Sequence, residues 1–85
     1  MAVYRIILKK SAVKELEAIP KRDLTKIVER IHSLADEPRP QGVEKLSAQE
    51  RYRIRQGDYR IVYSIEDDVL TVCVVKVGHR REVYR

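Results

Sequence analysis

Tyr52-Arg53-Ile54-Arg55-Gln56-Gly57-Asp58-Tyr59-Arg60-Ile61-Val62-Tyr63 alternates large apolar and charged residues on both sides of a Gly-Asp pair. Alternation with period two marks strands that bury one face. Gly57-Asp58 is a two-residue hairpin signal, so the stretch reads as two antiparallel strands. With that loop, Arg55 lies directly across from Arg60, and Arg53 across from Val62. Arg53, Arg55 and Arg60 then share one face of the sheet, while Tyr52, Ile54, Ile61 and Tyr63 share the other. A slip of one residue would scatter the cluster.

Downstream, Asp67-Asp68 signals a second turn, and the run from Val69 to Val77 reads as a third strand. It is apolar on both faces, which predicts a central position in the sheet. Gly78 is expected to break it, leaving a charged tail from His79 to Arg85. Upstream, Glu37 to Gly42 is a loop by its prolines and glycine, and Val43 and Leu46 lead out of it. Leu24, Ile27, Val28, Ile31, Leu34 and Ala35 recur at three- and four-residue steps, the pattern of an amphipathic helix. A shorter helix precedes it, with Ser11 as N-cap and Val13, Leu16 and Ile19 on its apolar side. Pro20 ends that helix and starts the next, and Asp23 favours the next helix's first turn. Tyr4 to Leu8 is a first strand. The order is β-α-α-β-β-β: an α+β fold with a helical hairpin on a mainly antiparallel, four-stranded sheet.

At 85 residues the chain is expected to form one domain, residues 1–85. Such a domain buries roughly 60% of its unfolded surface, so its core is thin. Apolar residues are 44% and charged residues 36%, a mix that excludes a disordered chain. There is no Phe or Trp and there are five Tyr, so the core must be mainly aliphatic, built from Ile, Val and Leu. The one cysteine, Cys73, forbids an internal disulfide and reads as a small buried hydrophobe, which fits a cytoplasmic protein. No signal peptide and no run of roughly 18 apolar residues is present, so no membrane partner is expected. A net charge of +5 attracts polyanions, of which nucleic acid is the commonest.

Opposed like charges destabilise a sheet by up to about 1 kcal/mol. A small domain that keeps Arg55 opposite Arg60 has a use for them on an anion. Guanidinium groups hold phosphate through two parallel hydrogen bonds, and three on one face suit an RNA backbone at a scissile phosphate. The competing reading is a solvated outer face. The tail adds His79, whose side-chain type titrates near neutral pH. It also adds Arg80, and Tyr84, which offers a hydroxyl and a ring on which a base can stack.

Three blocks carry a resemblance: Tyr52 to Arg55, Gly57 to Tyr63, and Val77-Gly78-His79-Arg80-Arg81-Glu82-Val83-Tyr84. With the order of elements, they make the chain similar to the RelE/ParE toxin superfamily of type II toxin–antitoxin systems, on its RelE-like (RelE/StbE) branch. The resemblance implies an mRNA interferase, a metal-independent endoribonuclease that cuts messenger RNA in the ribosomal A site and inhibits translation. The RNA's 2′-hydroxyl would attack the adjacent phosphate, giving a 2′,3′-cyclic phosphate and a 5′-hydroxyl. Arg53 and Arg55 stand where the best-known RelE toxins have lysines. Arg60 matches an arginine on the scissile phosphate, Arg80 one that helps protonate the leaving oxygen, and Tyr84 a tyrosine that orients the base. The stretch from Arg80 to Tyr84 is shorter than in RelE itself, and His79 replaces a lysine.

Arginine does not give up its proton in a protein, so Arg53 and Arg55 are poor general bases. They are assigned to binding and to stabilising the charge that grows on phosphorus. His79 or Tyr84 is better suited to move a proton. No cofactor or metal is expected. The implied partners are a RelB-like antitoxin, the ribosome with its message, and operator DNA only through the antitoxin complex. The same fold and charge also suit a ParE-like inhibitor of DNA gyrase that cuts nothing, or an inactive member that only represses its operon.

Overall fold

A computed structural model describes residues 3–46 and 50–79. Strand β1 (Arg5–Leu8) leads into helices α1 (Lys10–Glu17) and α2 (Lys21–Ser33). Strands β2 (Glu44–Leu46), β3 (Arg51–Gln56), β4 (Tyr59–Glu66) and β5 (Thr71–His79) follow. They form one sheet in the order β1-β5-β4-β3-β2. Only β1 and β5 run parallel; the other neighbours are antiparallel. The class is α+β as expected, with one strand more than the four expected. That strand is β2, whose three residues pair with β3 but are too few to display a period of two.

The β3–β4 register is the one that the hairpin arithmetic gives: Arg55 opposite Arg60, Arg53 opposite Val62, Ile54 opposite Ile61. Gly57 turns the chain with φ +59°, a backbone region that a Cβ disfavours. A Cβ built there meets nothing within 4 Å, so strain alone opposes a side chain. Gly57→Ala is expected to lose about 1 kcal/mol in a urea titration. An unchanged midpoint would show that the turn relaxes freely.

Strand β5 continues through Gly78 to His79, so the glycine does not break it. It is interior, between β1 and β4, although β4 is the middle of the five. A bulge interrupts the β4–β5 ladder: Val62 pairs with Lys76 but Tyr63 with Val74, leaving Val75 over. Val74 and Val77, three apart, therefore both face the helices and are fully buried. Glu15 on α1 ties into this bulge, accepting hydrogen bonds from the Val77 N–H at 2.8 Å and Lys76 Nζ at 3.1 Å. Cys73 falls on the opposite face and is half-buried, not a core residue.

The core is mainly aliphatic: Ala12, Leu16 and Ile19 from the first helical segment, Ile27, Ile31 and Leu34 from the second, and Ile54, Ile61, Val72, Val74 and Val77 from the sheet, joined by the aromatic Tyr63. Val13 and Val28, expected on the apolar sides, are exposed instead. Ser11 does not cap α1. Lys9 holds the cap position without a side-chain bond, and Ser11 Oγ lies 3.5 Å from the Val75 carbonyl. Pro20 holds the corresponding place before α2, its carbonyl accepting the N–H groups of Asp23 and Leu24. No helix among the described residues is long and apolar enough to cross a membrane.

Buried Tyr63 anchors the proline loop through a 2.7 Å hydrogen bond to the Pro38 carbonyl. On the loop, Arg39 donates to both carboxylate oxygens of Asp67, lies 5.3 Å from the centre of the Tyr52 ring, and is joined at Asp67 by the Tyr4 hydroxyl (2.6 Å). The Arg39 hydrogen bonds first, and the Tyr4 one second, hold the Asp67 carboxyl below the usual aspartate range. A carboxyl with a depressed folded pKa stabilises the fold above its unfolded pKa, about 3.9, and ceases to do so as pH falls through the folded value. Asp67→Asn is therefore expected to lower Tm at pH 7, with the gap from wild type closing in more acid buffer. A gap independent of pH would contradict this.

Candidate nucleic-acid interface

The sheet has two unlike faces. Tyr52, Ile54, Tyr59, Ile61 and Tyr63 turn toward the helices, and alternation puts Arg53, Arg55, Arg60 and Val62 on the other side. The three arginines that the sequence singles out on the hairpin thus share one face. Their surroundings differ in ways that the sequence does not reveal.

Arg55 is exposed, and among the described residues its guanidinium makes no hydrogen bond or ion pair. Arg53 is held by its cross-strand neighbour Glu44: Nη2 lies 2.9 Å and Nε 3.2 Å from the same carboxylate oxygen, Oε1. Glu44 is exposed while the Arg53 side chain is largely covered, so the pair orients Arg53 more than it stabilises the fold. Arg60 is only 3% exposed. Its partner on β5 is Gly78, which has no side chain to compete for the space over the strand. Burying a guanidinium costs several kcal/mol before compensation, so its position is held by its surroundings and not by chance.

His79 is not brought to this cluster. It pairs with Tyr59, one register step from the Arg60–Gly78 pair, and so lies on the helix side. There the two rings meet edge to face at 5.7 Å. Arg80 and Tyr84 lie outside the described residues. Glu44 is the residue that sequence reading missed. It stands just past the proline loop, with no periodicity to assign it a face, and only the β2–β3 pairing brings it beside Arg53.

A second surface lies at the other edge of the sheet. Between β1 and α2 runs an apolar groove of about 510 Å³, lined by Val3, Ile6, Leu8, Leu16, Val28 and Ile31. Val3, Leu8 and Val28 are exposed in it.

Residues 6–84 match the family model described as the ParE toxin of type II toxin–antitoxin systems, parDE. The chain is similar to toxin RelG of Mycobacterium tuberculosis, 31% identical over 84 residues that cover 96% of this chain and 97% of that one. Among solved structures it is similar to the toxin–antitoxin complex RelBE2 of the same organism, with a TM-score of 0.83 and 30% identity over 92% of this chain and 99% of that one. It is also similar to the RelE–RelB complex of the archaeon Pyrococcus horikoshii, with a TM-score of 0.82 and 32% identity over 94% and 97% of the two chains.

Proposed function

The chain belongs to the ParE toxin family of type II toxin–antitoxin systems, as a RelE-like toxin, and we propose that it cleaves messenger RNA in the ribosomal A site. Residues 1–85 act as one toxin domain in the cytoplasm, where ribosomes are. The observation that carries this reading is the Arg55–Arg60 pair, with Arg53 on the same face of a rigid hairpin. Opposed guanidiniums on fixed strands are preorganised for a phosphodiester that gains charge during reaction.

The chemistry divides accordingly. The 2′-hydroxyl oxygen bonds to the adjacent phosphorus, the bond from phosphorus to the 5′-oxygen breaks, and a 2′,3′-cyclic phosphate and a 5′-hydroxyl remain. Arg55 and Arg60 bind the phosphate and stabilise its charge, and alignment of the attacking hydroxyl supplies much of the rate. The hydroxyl's proton needs an acceptor on the arginine face, where arginine cannot serve. Glu44 suits that role: it is a carboxylate on the arginine face, held in place by Arg53 through its Oε1. Following the family resemblance, Arg80 stabilises the charge on the leaving 5′-oxygen, which takes its proton from water, and Tyr84 orients the base. His79, on the helix side, takes no part.

A RelB-like antitoxin is the natural regulator. Its apolar side chains fit the groove between β1 and α2, and its acidic residues suit the arginine face. Operator DNA is reached only through that complex.

The test of the chemistry is a message carrying one 2′-deoxy nucleotide on the 5′ side of the cut. Cleavage is expected to stop there while the protein still binds. Glu44→Gln is expected to slow cleavage on the order of 10²-fold. Undiminished cleavage of the deoxy substrate would refute 2′-hydroxyl attack. Inhibition of DNA supercoiling without RNA cleavage would favour the gyrase reading.

A further inference from the structure

Strand β2 pairs with β3 only as far as Glu44 opposite Arg53. Two residues further along β3, Arg55 has no strand beside it on that edge. The chain instead turns aside at Gly42, whose φ is +90°. A pocket of about 390 Å³ opens there, lined by Gly42, Glu44, Arg55 and, from α2, Arg30. The Nε of Arg30 is buried and has no hydrogen-bond partner among the described residues. A buried donor left without an acceptor is unfavourable, and a small turn of the Arg30 side chain toward an arriving anion would satisfy it. The one carboxylate in the pocket, Glu44, is already neutralised by Arg53.

We propose that this pocket is a second phosphate subsite, in which Arg30 and Arg55 clamp the RNA phosphate next to the one that is cut. The proposal rests on the nuclease reading and adds to it a residue from α2. Two guanidiniums from separate elements converge on one recess, and Arg55 belongs to both the recess and the reactive pair. A single strand carries a charge at every nucleotide, so a phosphate at Arg60 brings a neighbour within reach of the edge of β3. Filling both subsites fixes the strand's direction across the sheet, which a single phosphate contact cannot do. Arg30 is accordingly a binding and positioning residue.

The experiment measures binding of the full chain to a short RNA made uncleavable by a 2′-deoxy nucleotide at the cut, over a range of salt concentrations. For single strands, each phosphate contact contributes roughly 0.7 to the slope of log affinity against log salt. Arg30→Ala is expected to lower that slope by about this amount and the affinity roughly tenfold. Arg30→Lys, which keeps the charge and guards against misfolding, should retain the slope. Lys14→Ala, which removes a charge from α1, should change the slope much less. A neutral methylphosphonate moved along the RNA should find one position that weakens wild type but not Arg30→Ala.

If wild type binds and Arg30→Ala shares its slope, the subsite is wrong and the nuclease reading stands. If wild type binds no RNA at any salt, the subsite falls, while the nuclease reading, whose cut is confined to ribosome-bound message, stands or falls by cleavage on the ribosome. If Arg30→Ala weakens binding of a glutamate-rich peptide and leaves RNA binding intact, the pocket takes protein carboxylates and the phosphate assignment is overturned.

Discussion

Cleavage by Arg60→Ala is expected to fall about 10²- to 10³-fold, the loss typical of removing one fixed donor aimed at developing charge. Arg60 is the arginine whose placement the fold controls most: it is 3% exposed, opposite Arg55 on one side and Gly78 on the other. A side chain so held contributes little ordering cost when the transition state forms. The same burial means that Arg60→Ala also perturbs the sheet, so stability has to be read beside activity. Arg60→Lys separates the two. It keeps the charge and most of the volume but lacks the planar fork that holds phosphate bidentately. It is expected to keep near-native Tm while recovering only part of the lost rate. Full activity in both variants, from folded protein, would remove Arg60 from the mechanism.

The second large effect is on stability. Tyr63 is the largest fully buried side chain, stacked on Tyr52 at 5.9 Å, with its hydroxyl on the Pro38 carbonyl at 2.7 Å. Tyr63→Phe removes the donor and strands a buried acceptor, for an expected loss of about 1–3 kcal/mol. Tyr63→Ala adds a cavity under the sheet, for about 3–5 kcal/mol in total. A chain of 85 residues has only roughly 4–13 kcal/mol of stability to lose. Urea titration should therefore find Tyr63→Phe folded but weakened and Tyr63→Ala close to unfolded. A Tyr63→Phe midpoint equal to wild type would mean that the Pro38 carbonyl finds another donor. Because Tyr63 anchors the loop that leads to Glu44, Tyr63→Phe also tests whether this brace sets the site's geometry.

The hairpin was legible because two constraints coincide there. A two-residue loop fixes the register, and alternation fixes which residues share a face. From these, Arg55 opposite Arg60 follows before any coordinate is known, and the structure has that pairing. The long helix was legible for a similar reason, since four turns of apolar spacing outvote any single residue. What escaped lies where a pattern is too short or is broken. Three residues of β2 show no period, and so Glu44 had no predicted neighbour. The bulge at Val75 shifts alternation by one, and so a run that seems apolar on both faces packs Val74 and Val77 on the same side. Strict alternation through Gly78 would have set His79 apart from the arginines, but reading that glycine as a strand break hid it. Ser11 failed as a cap because α1 begins at Lys10, two residues earlier than a Ser11 cap requires.

Primer extension on a defined message in purified translating ribosomes, with and without the protein, and beside the same RNA free in solution, tests the central claim most directly. A new 3′ end is expected at the A-site codon of the ribosome-bound message alone, greatly reduced with Arg60→Ala. No cut in either sample, from protein shown to be folded, would contradict it.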